Sequence, residues 1–208
     1  MVQLTSMLSG KTNDILFLYI KIILAIMEIA KKEEIRKWSI DKEHSSIEFT
    51  VRHMMISHVS GRFKKFSVIG MENLSDIEKS SVSVTIDSAS IETGNEDRNN
   101  HLKSPDFLNV GTFPEIVFKS SSIKKNRDNF NISGDLRIRD VVKAHVFEVE
   151  RNGPITDPYG KLRQGISLMG TINRKDYGLV WNMVLEGGGV MVGESIKINI
   201  NLELIKVE

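Results

Sequence analysis

Side chains able to do chemistry fall into three groups along this chain. His44, His53, His58 and His101 crowd the first half, with His145 further on. A metal needs several ligands converging, and the His-x-x-x-His spacing that would bring two onto one helical face is absent. His53 instead continues the inward face of an alternating strand, which predicts a hydrogen-bonded core histidine. Asn95, Arg98 and His101 share one polar segment, able either to hold a polar group by hydrogen bonds or to tie their own backbone together. Arg174 and Asp176, two apart, suit a turn bond or structural ion pair better than a catalytic pair. The chain has no cysteine, which excludes thiol nucleophiles, disulfides and Cys-ligated zinc. No GxSxG, Walker or Rossmann fingerprint occurs, and Gly187-Gly188-Gly189 precedes a strand, so it reads as a turn and not a phosphate cradle.

The elements that must position these groups are strands. Ile47, Phe49 and Val51 alternate with Glu48, Thr50 and Arg52, the period of two that a half-buried strand requires. Val82, Val84 and Ile86 repeat the pattern, as do Phe130 to Ile138 and, most clearly, Ile196, Ile198, Ile200, Leu202 and Leu204. Further strands are predicted over 115–121, 142–150 and 164–173. The one exception is the stretch from Arg98 to Leu108, where one or two helical turns precede the interruption at Pro105. Turn residues punctuate the rest: Gly94-Asn95, Asn152-Gly153, Asp157 to Gly160 and the triple glycine. About eight strands, each with one polar and one apolar face, suit a closed antiparallel barrel or a sandwich.

Composition limits the partners. With 28 Lys and Arg against 27 Asp and Glu, the net charge is +1, too even for a bulk electrostatic grip on nucleic acid. The 208 residues suit one domain with an appendage. Residues 15–30, ILFLYIKIILAIMEIA, form a dense apolar run of roughly 24 Å as a helix, short of the roughly 30 Å hydrocarbon core of a bilayer. Lys21 interrupts it, and neither a cationic start nor a small-x-small exit frames it as a signal peptide. Two readings stand: an amphipathic helix docking on the protein, a partner or a membrane surface, or a natural start at Met27 with the upstream stretch non-native. A charged hinge, Lys31 to Lys37, sets the expected boundary between an extension over 1–37 and a barrel over 38–208. The incomplete signal features predict a cytoplasmic protein, with export or membrane association as the alternative if residues 1–30 are native.

Four segments in order carry a resemblance to a known family. They are Trp38 to Phe63 (WSIDKEHSSIEF, then VRHMMIS and GRF), Ser88 to Phe107 (SASIETGN, Arg98, HLKSPDF), Phe113 to Ser120 (FPEIVFKS) and Gly170 to Asn182 (GTINRKDYGLVWN). Together they resemble the YceI-like family over residues 38–206. The resemblance implies a lipocalin-like antiparallel barrel of eight strands with a short helical segment. Its long apolar interior is expected to hold a polyisoprenoid or comparable lipid tail, with proposed roles in isoprenoid quinone handling or stress tolerance. Three positions depart from the family pattern: Asp140 where a turn glycine is expected, His145 in place of an apolar strand residue, and Ile166 in place of an aromatic.

On that basis the expected ligand contacts are Phe49, Val51, His53, Phe63, Phe66, Val84, Phe107, Phe113, Phe118, Leu136 and Trp181, with Asn95, Arg98 and His101 capping a diphosphate or quinone head. Gly134 and Gly170 would open wall volume, and methionines such as Met54, Met55, Met169, Met183 and Met191 would supply adaptable walls. Three function classes follow. The first is a non-catalytic carrier of a long-chain isoprenoid or fatty amphiphile, needing no cofactor and no metal. The second is an enzyme acting on such a lipid through His53, Arg98, His101 or His145. The third is a filled barrel that binds a protein partner on its outside. A homodimer and membrane-surface contact through residues 15–30 are compatible with each.

Overall fold

The computed structural model describes residues 20–22 and 35–207. The chain divides into two units, Met1–Glu34 and Ile35–Glu208. Of the apolar run, Ile20, Lys21 and Ile22 are helical, and the rest of the expected amphipathic segment lies outside the described residues. Among the described residues no helix is long and apolar enough to cross a membrane.

The second unit begins with β1 (Ile35–His53), β2 (Ser57–Phe63), β3 (Phe66–Asn73), β4 (Ser81–Asp87) and β5 (Ile91–Glu92). Helix α1 (Glu96–Lys103) follows, then β6 (Glu115–Asn126), β7 (Asn129–Ile138), β8 (Val141–Thr156), β9 (Leu162–Asn173) and β10 (Val192–Lys206). These segments build eight wall strands. β2 and β3 lie end to end along β1, parted at Lys64 and Lys65, and β4 and β5 likewise flank a 3-10 turn over Ser88–Ser90. Each wall strand is antiparallel to its sequence neighbours, and β10 pairs with β1 to close the ring. This is the expected eight-stranded antiparallel barrel. The alternation predicted for seven strands falls inside β1, β4, β6, β7, β8, β9 and β10.

Inward positions are apolar through the middle of the barrel. Two packed groups result, one around Ile47, Ile86, Ile116, Leu136, Ile172 and Tyr177, the other around Trp38, Val68, Leu202 and Leu204. The first lies toward the end closed by α1 and the loops over 104–114 and 174–191, here called the lid. The second lies toward the opposite end, the floor, where β1 starts and β10 finishes.

Two local expectations need correction. Asn152-Gly153 is not a turn between strands but a bulge within β8, where the register with β9 slips between Asn152 and Ile155. Gly153 takes φ +96°, a left-handed value that glycine adopts without strain, so the strand bends and continues to Thr156. In the β7–β8 turn the left-handed residue is Arg139 (φ +55°), one position before Asp140.

The β1–β10 seam carries its own irregularity, an interruption between Asp41 and Ser46. Arg163 of β9 spans it. Its Nε donates to Asp157 Oδ2 at 2.6 Å, and its Nη1 donates to Asp41 Oδ2 at 2.7 Å and to Glu203 Oε1. Three strands and the β8–β9 turn are thereby tied to one guanidinium. The Arg163 hydrogen bond, with help from His44, lowers the Asp41 carboxyl to a pKa of about 2. An Asp held below its unfolded value of ~3.9 stabilises the fold above that pH and loses this contribution as pH falls toward 2. Arg163→Gln is therefore expected to lower the thermal midpoint at neutral pH and to flatten the loss of stability between about pH 4 and pH 2. Thermal unfolding across that range measures it, and an unchanged acid limb would show the pair contributes nothing.

Candidate ligand cavity

The barrel encloses a cavity of about 230 Å³. Every wall strand contributes to it: Ile47, Phe49 and Val51 from β1, Phe63 from β2, Val84 from β4, Phe118 from β6, Leu136 from β7, Phe147 and Val149 from β8, Leu168 from β9, and Ile196 to Leu202 from β10. Leu102 of α1, with Phe107, Leu108 and Leu179 from the loops, covers the lid end. Only two lining residues are charged, Glu48 and Arg174, and both are engaged. Glu48 accepts from Asn199 Nδ2 at 3.3 Å.

Arg174 is 1% exposed. Its Nε donates to the Gly193 carbonyl at 2.9 Å, its Nη1 to those of Leu179 and Trp181 (2.9 Å to the latter), and its Nη2 to that of Val192 at 3.3 Å. One buried cation thus draws in two carbonyls of the loop that crosses the barrel mouth and two at the start of β10. Asp176 is exposed and does not bond to it through a side-chain contact, so Arg174 is a loop anchor and not half of a catalytic pair. Gly178, at φ +71°, gives the chain the left-handed residue it needs to turn back over the guanidinium.

The lid helix is specified locally. Asn95 caps it by accepting from Arg98 N at 2.9 Å, and Glu96 and Asp97 in its first turn oppose His101 and Lys103 in its last, matching the helix dipole. Ser104 precedes Pro105 and ends it in extended backbone. Arg98 donates from Nε to Thr93 Oγ1 and from Nη2 to the Thr93 carbonyl, both at 2.8 Å. Asn99, 4% exposed, accepts from Thr93 N and Oγ1. These side chains tie the lid to the wall. His101 Nε2 meets Asp106 Oδ2 at 2.9 Å, and its ring stands edge-on to Phe107 and Trp181, with centroids at 5.0 and 4.6 Å. Asn95, Arg98 and His101 lie outside the cavity lining.

Of the other sequence-predicted contacts, Phe49, Val51, Phe63, Val84, Phe107, Phe118 and Leu136 line the cavity. Phe66 packs between the two core groups, Phe113 lies under the Arg139 guanidinium at 5.5 Å, and Trp181 packs on Phe107. His53 is half-buried, and its carbonyl accepts from Ile56 N and Ser57 Oγ in the β1–β2 turn. The expected methionine walls are absent: Met54, Met55, Met169 and Met183 are exposed on the outside, and Met191 also stays out of the lining. The space over Gly134 and Gly170 is not cavity either. A Cβ on Gly134 would run into the Phe118 ring and the β6 backbone, and one on Gly170 would lie 3.1 Å from Phe147. Both glycines make room for phenylalanines, which then face the cavity.

Phe147 is not among the contacts expected from the sequence, and His145 stands there only as a departure from the family pattern and a candidate catalytic group. Phe118 and Phe147 pack edge to face at 5.5 Å, and His145 stacks on Phe147 at 5.5 Å while its Nε2 meets Tyr177 Oη at 2.6 Å. Burial, reinforced by the Asp176 charge, pushes the Tyr177 hydroxyl up to about 12, so it stays protonated. Burial also lowers the His145 pKa, against an opposing pull from Asp176. The polar pair adjoins the cavity but does not line it.

At the floor end, Asp41, His44 and Glu203 place three ligand atoms within 4.8 Å of one another. Arg163 already occupies oxygens of Asp41 and Glu203, so this is an ion-pair network.

The sequence pattern of the YceI-like domain matches residues 38–204. The chain belongs to the YceI-like family. A UPF0312 protein of Staphylococcus aureus strain N315 is 38% identical over 167 residues, which cover 80% of this chain and 95% of the relative. Among solved structures, a Campylobacter jejuni YceI protein superposes with a TM-score of 0.65 at 30% identity, covering 76% of this chain and 90% of that one. BcnA of Burkholderia cenocepacia gives 0.69 at 21% identity over 79% and 98%. A polyisoprenoid binding domain from Saccharophagus degradans gives 0.58 at 15% identity over 82% and 98%. The last two likenesses establish the shared YceI-like barrel fold.

Two outcomes test the lid side of the cavity. Arg174→Leu leaves four backbone carbonyls of the loop and the start of β10 without their donor and is expected to cost about 3 kcal/mol, measured by urea unfolding. A histidine held below its unfolded pKa favours the neutral form in the fold, so the unfolded chain takes the proton first as pH falls. Stability should decline from about pH 7 downward in the wild type, and His145→Phe should remove that slope.

Proposed function

We propose that this protein is a non-catalytic carrier that holds the chain of a long isoprenoid amphiphile in its barrel. The observation that carries this reading is an interior cavity lined by apolar side chains from every wall strand, whose two charged residues are already committed to the protein's own groups. At about 230 Å³ it exceeds the ~150 Å³ at which an apolar cavity stays dry and takes up benzene. Each buried CH₂ of a guest contributes about 0.8 kcal/mol. An isoprenoid also suits walls of branched and aromatic residues, which offer close contact to methyl groups without demanding hydrogen bonds. The Saccharophagus degradans domain, a polyisoprenoid binding domain with this fold, supports the assignment of the ligand class. The near-neutral charge suits a guest held by burial rather than by ionic attraction.

Organic extraction of purified protein followed by mass spectrometry should release a chain lipid in stoichiometric amount. Leu168→Trp, which fills the cavity from β9, is expected to retain the strand signal in far-ultraviolet circular dichroism and to bind an offered prenyl lipid at least about tenfold more weakly. Wild-type protein that yields no lipid and takes up none when offered would sink the proposal. Chemical conversion of the offered lipid would replace it with an enzymatic reading.

A further inference from the structure

The floor of the barrel carries polar side chains exactly one rung beyond the cavity. Inward positions on β8 run Phe147, Val149, Arg151, and those on β9 run Leu168, Ile166, Gln164; the first two of each line the cavity and the third does not. Arg151 is registered opposite Ile166, so Gln164 is its diagonal neighbour on the same face. The Arg151 guanidinium is held in position. Its Nη2 donates to Glu72 Oε1 at 2.7 Å, and it lies over the Phe130 ring at 5.9 Å. Glu72 in turn accepts from Trp38 Nε1 at 3.0 Å and from Arg36 Nη1 at 3.4 Å. Two polar atoms of this group are buried without a hydrogen-bond partner: Arg151 Nε and Gln164 Oε1, the latter on a side chain 6% exposed. Burying such atoms unmatched is unfavourable, so two of them on diagonal positions one rung below an apolar cavity mark a place for a ligand group.

We propose that Arg151 and Gln164 receive a terminal hydroxyl of the cargo, which therefore lies with its polar end on the floor and its chain toward the lid. The proposal rests on the carrier reading. One O–H matches the pair: its oxygen accepts from Arg151 Nε and its hydrogen is donated to Gln164 Oε1. A hydrocarbon end satisfies neither atom. A diphosphate offers no donor to Gln164 and brings more negative charge than the single surplus cation among Arg36, Arg151 and Glu72 can balance.

Delipidated protein titrated with farnesol, farnesene and farnesyl diphosphate by calorimetry tests this. Farnesol should bind about tenfold more tightly than farnesene, the worth of a hydrogen-bonded group in a buried site. Gln164→Leu should abolish that preference while leaving farnesene affinity unchanged, and Arg151→Met should do the same if it folds. Equal binding of farnesol and farnesene leaves the carrier reading intact and overturns the site, a trapped water then serving the pair. A preference that survives in Gln164→Leu, or tightest binding of the diphosphate, overturns it too. Failure of all three probes overturns the carrier reading and the site together.

Discussion

Closure of the sheet is the constraint on which everything else here depends. Pairing of β10 with β1 leaves no open edge along the main wall and forces one face of every strand into a common interior. That interior must then be apolar wherever water cannot reach. Along the middle of the seam, Ile47, Phe49 and Val51 accordingly stand opposite Ile200, Ile198 and Ile196. Where its register breaks, at Asp41 to Ser46, Arg163 bridges the interruption with three carboxylates. An eight-stranded ring has just enough interior for side chains or for one small ligand. In this barrel the middle is left partly empty.

The two ends solve the problem of closing a barrel differently. At the lid a helix and two loops lie across the opening, and their polar backbone is satisfied from beneath by Arg174 and from the side by Arg98 and Asn99. The aromatic contacts of His101, Phe107 and Trp181 join the helix to the loop. At the floor the chain uses side chains alone: Trp38, Glu72, Arg36 and Arg151 fill the section with a hydrogen-bonded, ring-stacked cluster. A cavity between an anchored cover and a polar base has a direction, which a uniformly greasy tube would lack.

Within the site, the hydrophobic contacts were legible because the alternation that names a strand also names its inward face. Phe49, Val51, Val84, Phe118 and Leu136 all line the cavity for that reason. The polar residues were not legible. Asn95, Arg98 and His101 are equally suited by type to hold a ligand head or their own loop, and only the fold commits Asn95 and His101 within the lid and Arg98 to Thr93 at the wall. The methionines misled because their flexibility says nothing about which side of a wall they occupy. Gly134 and Gly170 are inward, but the volume they release is taken by Phe118 and Phe147 reaching across from neighbouring strands.

By itself the sequence determined seven of the strands, the absence of thiol chemistry and the apolar interior, since these follow from residue type and local period, while four ordered motifs carried the family resemblance. Tertiary structure decided what distant residues do together. Glu72, Trp38 and Arg151 are far apart in the chain and meet only because the barrel closes. The same closure turns Arg174 from a turn residue into the anchor of the lid and sets Gln164 beside Arg151 with a buried oxygen to spare. Period and composition are one-dimensional properties, whereas burial, pairing and unmet hydrogen bonds arise only when the ring is shut.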